Sequence, residues 1–133
     1  MTPKERPRTH PAERLASPVQ QIQLAEATAR LRAESHAGIA GHRQLTLMRR
    51  GQVALILFVF EPGASLKKHQ VEGEVIIHVL AGRLVVDVAG EEIQLGPREL
   101  LSLASGQAHA VRALEESEML LTISRAPSPR SVD

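Results

Sequence analysis

The chain contains no cysteine, no tryptophan and no tyrosine, and its only aromatic side chains of that kind are Phe58 and Phe60. Without cysteine, disulfide stapling and thiolate zinc sites are excluded, and a reducing cytoplasm is the expected location. Without aromatic platforms there is nothing on which bases could stack, which argues against single-stranded nucleic-acid binding. Neither sign of charge dominates: 16 lysines and arginines stand against 15 aspartates and glutamates. No large field is left for a nucleic-acid backbone or an anionic membrane to exploit, and the local basic spot of Arg43, Arg49 and Arg50 reads as a solvated turn. The longest apolar run, Val53 to Phe60, falls far short of the roughly 20 residues that span a bilayer. Met1 to Ser17 carries charges and prolines where a secretory signal needs an apolar stretch. Around Ser65, Ser102, Ser105 and Ser117 there is no nucleophile elbow, and neither a phosphate-binding loop nor a dinucleotide fingerprint is present. The expectation is a soluble protein with no nucleic-acid partner and no membrane partner.

What is present fits one small domain. A length of 133 residues with 43% hydrophobic side chains suffices to bury a core. Residues 1–18, rich in proline, arginine and threonine, are expected to be a disordered leader. Residues 19–36 are expected to hold one helix, because good helix formers place Ile22, Ala25, Ala29 and Arg32, or Ile22, Ala29 and Leu31, near one side. From residue 42 to 124 the pattern changes to short apolar runs separated by glycine-bearing turns at Gly51, Gly63, Gly82, Gly90, Gly96 and Gly106. Strands at that spacing favour a sandwich or barrel. Residues 125–133 are expected to fray.

Two stretches carry the functional signal. In PGASLKKHQVEGEVIIHVLAG, a turn at Pro62-Gly63 leads to His69 and then to an apolar strand ending at Gly82. In LGPRELLSLASGQAHAV, a turn at Gly96-Pro97 leads to a strand of Leu100, Leu101 and Leu103, and Gly106 stands three residues before His109. The spacing resembles the two motifs of the cupin superfamily, Gly-x5-His-x-His-x3,4-Glu-x6-Gly and Gly-x5-Pro-x-Gly-x2-His-x3-Asn. Gly63, His69 and Gly82 match the first motif, and Gly106 and His109 match the second. The resemblance covers roughly residues 53–123 and implies an all-β, cupin-like double-stranded β-helix, or jelly-roll barrel, with one N-terminal α-helix. It also implies that the two histidines meet in one pocket.

The metal part of the resemblance is degenerate. Where metal-holding cupins place a second histidine and a glutamate, this chain has Val71 and Val75, while Ala104 and Ala113 stand at the proline and asparagine positions. Side chains on a strand alternate faces, so if His69 points inward, Val71, Val75, Ile77 and Val79 share its face. That face is apolar apart from the histidine, which suits either a small-molecule pocket or a plain core. Glu72 and Glu74 have the opposite parity, although a bulge at Gly73 would swing Glu74 inward. His78 alternates outward, and His10, His36 and His42 read as surface groups.

The leading expectation is therefore a small-molecule binding barrel whose pocket is lined by His69, Val71, Val75, Ile77 and His109. Any divalent metal (zinc, nickel, iron or manganese) would be held weakly by His69 and His109, or be absent. The alternative is a metal-dependent cupin enzyme, an oxygenase or isomerase, that uses His69 and His109 with Glu74 and water. Because Val53 to Phe60 is apolar on both faces, a homodimer joined near that run is also expected.

Overall fold

A computed structural model of the chain describes residues 17–34 and 41–125. One helix, α1 (Leu24–Arg32), precedes nine strands: β1 (His42–Arg50), β2 (Val53–Phe60), β3 (Ser65–His69), β4 (Gly73–Ala81), β5 (Leu84–Val88), β6 (Glu91–Leu95), β7 (Leu100–Leu103), β8 (His109–Ala113) and β9 (Ser117–Arg125). The strands form two antiparallel sheets, one in the order β1-β2-β9-β4-β7 and the other in the order β3-β8-β5-β6. This is the jelly-roll architecture. Almost all of the expected leader and tail, together with His10 and His36, lie outside the described residues. No helix among the described residues is long and apolar enough to cross a membrane.

Strict alternation builds the interior. In β4 the residues Val75, Ile77 and Val79 are buried while Glu74 and Ile76 are exposed. Phe58 and Phe60 from β2, Leu84 and Val86 from β5, Val111 and Ala113 from β8, and Met119, Leu121 and Ile123 from β9 complete one core between the sheets. Both phenylalanines are core residues, as their shared parity required.

The helix is shorter than residues 19–36 and shows a different face. Its start is delayed because the preceding segment is engaged elsewhere: the Gln20 side-chain amide donates to the Leu47 carbonyl, and the Arg50 guanidinium donates to the Ser17 carbonyl. Val19, expected inside the helix, is 86% exposed. Within the helix the covered side runs through Leu24, Ala27, Thr28 and Leu31, the i, i+3, i+4, i+7 set, whereas Ala25 and Ala29 face water. Leu31 packs with Leu47, Leu57 and Val59 on the outer face of the five-stranded sheet, and Arg32 ion-pairs with Glu116 and Glu118 to hold the C-terminal end there. α1 thus covers part of the outer face of β2 that was expected to need a second subunit. On the same sheet the outer face of β4 and β7, around Ile76 and Leu100, stays open.

Candidate functional site

β3 and β8 bring the two motif histidines together. They are opposite each other in the antiparallel register, with ring centroids 4.3 Å apart and ring planes inclined at 59°. A register shift makes this possible. Leu66 lies opposite Val111 and His69 opposite His109, so three steps along β3 match two along β8. One extra residue at the exposed Lys67-Lys68 pair forms a bulge, and the bulge returns His69 to the inner face that Leu66 already occupies. The alternative of a bulge at Gly73, which would swing Glu74 inward, does not occur. Gly73 and Glu74 pair in regular register with Arg125 and Ser124, and Gly73 passes so close to the Ser124 backbone that a Cβ would collide with it.

Glu74 therefore points outward, where its carboxylate accepts from the Ser105 N–H at 3.3 Å. A site built on His69, His109 and Glu74 is not formed. His78 likewise lies on the outer face, partly exposed between Ile76 and Leu80.

Each imidazole is fixed by its own strand. His69 Nδ1 lies 2.9 Å from the Lys67 carbonyl and His109 Nδ1 lies 3.2 Å from the Gln107 carbonyl. A carbonyl only accepts, so both Nδ1 atoms carry the proton, and in the neutral ring Nε2 is then the acceptor. Neither Nε2 makes a hydrogen bond within the described residues. His69 is half-buried and His109 is 2% exposed. Burial pushes the His109 pKa below its ordinary value and the neighbouring His69 adds to that, against the opposing pull of the Gln107 carbonyl.

The other expected pocket residues divide by depth. Val71 is partly buried against the core, and its carbonyl accepts from the Gly106 N–H at 2.9 Å, tying the loop after β3 to the loop before β8. Val88, next to His109 in register, is also partly buried. Val75 and Ile77 are 3% and 0% exposed and belong to the core beneath. The histidine pair thus stands at the mouth of the barrel above an apolar floor. A groove of about 330 Å³ lined by Lys68, Asp87, Ala89, Gly90, Gln107, Ala108 and Ala110 lies behind it. Asp87 and Ala110 alternate away from Val88 and His109, so that groove is on the outer side of the sheet and is a different surface.

One inward ring escaped the sequence reading. His42, expected at the surface, contacts Phe58 and Phe60 with centroids 5.7 Å and 5.9 Å away, and its Nδ1 is buried without a hydrogen-bond partner. Its position opposite Phe60 in the β1–β2 ladder decides its face, and no local pattern in the sequence announces it.

A model of the cupin domain matches residues 56–124. The chain belongs to the cupin family. The fold agrees with that of a cupin superfamily protein from Desulfitobacterium hafniense, with a TM-score of 0.68 and 20% identity over 85% of this chain and 96% of that one. KdgF from Halomonas sp. gives a TM-score of 0.61 at 23% identity, over 68% and 86% of the two chains. A predicted oxalate decarboxylase from Thermotoga maritima gives 0.60 at 20% identity, over 64% and 81%. No curated protein matches.

Metal is the group that cupin motifs most often imply, and the donor set here does not fit one. Catalytic zinc takes three protein ligands plus water, and the facial iron triad needs a carboxylate besides two histidines. Among the described residues no group of three or more histidine, cysteine, aspartate or glutamate side chains could hold a metal ion. At the two remaining motif positions, Val71 and Val75 present methyl groups.

Proposed function

We propose that this cupin binds a small organic molecule directly at the barrel mouth, with the imidazoles of His69 and His109 as its polar contacts and Val71 and Val88 as apolar contacts. Val75 and Ile77 support the site from below. The observation that carries this reading is the contact between two imidazoles, each with an unengaged Nε2, in a mouth that offers no third metal ligand among the described residues. An apolar cleft with a few convergent polar atoms is the usual form of a small-molecule site.

Metal analysis after purification tests it. The natural chain is expected to lose divalent metal on dialysis against a mild chelator, whereas Val71→His with Val75→Glu, which completes three imidazoles and one carboxylate, is expected to keep one ion per chain. Stoichiometric metal in the natural chain would overturn the metal-free reading in favour of a metal-dependent enzyme. Assembly as a homodimer belongs to the same reading. Ile76 and Leu100, 39% and 61% exposed on the part of the outer face that α1 leaves open, are the apolar surface available to a second copy. Light scattering that finds a monomer at micromolar concentration removes that part.

A further inference from the structure

The hydrogen bonds behind the two imidazoles restrict what the mouth accepts. With both Nδ1–H groups committed to the carbonyls of Lys67 and Gln107, the neutral rings offer a ligand two acceptors, His69 Nε2 and His109 Nε2. The side chains that share the inner face with them, Leu66, Val71 and Val88, supply no donor. Among the described residues the one fully buried side-chain nitrogen or oxygen without a partner is His42 Nδ1, so His109 Nε2, which also has none, is not fully enclosed, and His69 is half-buried.

Taking the direct-binding reading as its basis, we propose that the mouth is selective for uncharged ligands carrying two adjacent hydroxyl groups, each donating to one Nε2, with a compact apolar body against Val71 and Val88. Three chemical arguments converge on that class. A carboxylate is an acceptor only, so it would face two lone pairs and find no donor, leaving buried acceptors on both sides unpaired. An ammonium could donate, but entering this apolar surround would strip its water with no carboxylate to compensate. A single hydroxyl satisfies one imidazole and leaves the other dry, whereas two adjacent hydroxyls supply one donor for each of two rings whose centroids lie 4.3 Å apart. Discrimination of this kind is strong, because a site built to bond particular polar hydrogens is left with unpaired groups when they are missing.

The test uses the whole chain, labelled with ¹⁵N, at pH 8 under argon with a chelator present. Catechol, phenol and benzoate serve as probes of one ring size. Long-range proton–nitrogen spectra of the imidazoles report the tautomer of each histidine and the shift of each Nε2. The expected result is that catechol moves the Nε2 signals of both His69 and His109, and binds about tenfold or more tightly than benzoate, with phenol between them. His69→Asn, at the half-exposed position, is expected to bring catechol down to the affinity of phenol while the rest of the spectrum stays folded. Benzoate binding as tightly as catechol, with the same imidazole signals moving, would overturn the hydroxyl selectivity and leave direct small-molecule binding standing. If no probe moves either imidazole, direct binding fails and the selectivity fails with it. Protonated Nε2 in the free protein would also overturn the selectivity, since the acceptors it needs would be donors.

Discussion

The two ends of the barrel are built on different principles. At the closed end, Phe60, Leu84 and Ser117 have no exposed surface, and the β4–β5 turn lies tightly on the β8–β9 turn. The Ser117 hydroxyl accepts from the Arg83 N–H at 3.0 Å and donates to the Glu115 carbonyl at 2.8 Å, so it is satisfied internally, while among the described residues the His42 Nδ1 beside Phe60 is the one buried polar side-chain atom there without a partner. At the mouth, Leu66, Val71 and Val88 are only partly buried, and two imidazole nitrogens are left without partners. His42 apart, the closed end uses its polar groups on itself, while the mouth leaves two imidazole nitrogens for something else. A polar atom left unsatisfied beside an apolar surface is a cost; the closed end bears it at the single His42 Nδ1, and the mouth bears it at two imidazoles that face each other. The difference therefore separates what holds this fold together from what the fold presents.

The comparison breaks first at Gly82. Its φ is +88°, a left-handed conformation, and a Cβ there would run into the Glu116 carbonyl and the Ser117 hydroxyl and come within 2.6 Å of the Ser117 Cα. The obstruction is backbone and cannot rotate away. Gly82→Ala is expected to cost roughly 3–5 kcal/mol, combining overpacking with left-handed strain. Urea unfolding followed by circular dichroism would show it, and a loss below about 1 kcal/mol would mean that the turns are not tightly docked.

At the mouth, His109→Ala is expected to be milder, at about 1–3 kcal/mol, because a buried ring is removed and the Gln107 carbonyl loses its donor. This is more than a rim residue would cost, since the side chain is 2% exposed. The ligand response should disappear together with the ring. A cost as large as that of Gly82→Ala would instead make His109 a structural residue of the core.

Acid should find the same residue without mutation. The His109 pKa is lowered in the folded chain, chiefly by burial, so the unfolded state binds the proton more readily. The contribution is fully present above the unfolded value near 6.5 and is lost as the pH falls from there through the lowered folded value. Melting temperature measured from pH 8 to pH 5 is expected to fall on the acid side. The part of that fall due to this group should vanish in His109→Gln.

Much of this contrast was legible in the sequence and some of it was not. Gly63, His69, Gly82, Gly106 and His109 pointed to both the barrel and the meeting of the histidines through their resemblance to the two cupin motifs, while the glycine turns and strand parity are local properties. The facing of Val75, Ile77, Val79 and His78 followed from the same alternation and agrees with their burial. The bulge at Lys67-Lys68 was not legible, since two exposed lysines look the same in a regular strand as in an irregular one. The helix start failed for a related reason: Ser17 and Gln20 are suitable for a helix, but bonds to β1, distant in sequence, take precedence over propensity. His42 faces inward because of its pairing with Phe60, a tertiary relation.

The smallest expected effect is also the sharpest on chemistry. Glu74 occupies a position next to the glutamate site of metal-holding cupins, and a bulge of one residue would have made it a ligand. In this fold it alternates outward from Val75, and its carboxylate reaches only the Ser105 N–H at 3.3 Å on an exposed surface. Removing its charge disturbs no buried pair, so Glu74→Gln is expected to change stability by less than about 0.5 kcal/mol, as surface substitutions usually do. It is equally expected to leave the imidazole signals of His69 and His109 and the catechol response unchanged, because Val75 and the sheet itself stand between the two faces. A carboxylate coordinated beside two histidines would behave otherwise: its loss would release metal and move both Nε2 signals, and the mouth would then have to be redrawn with Glu74 inside.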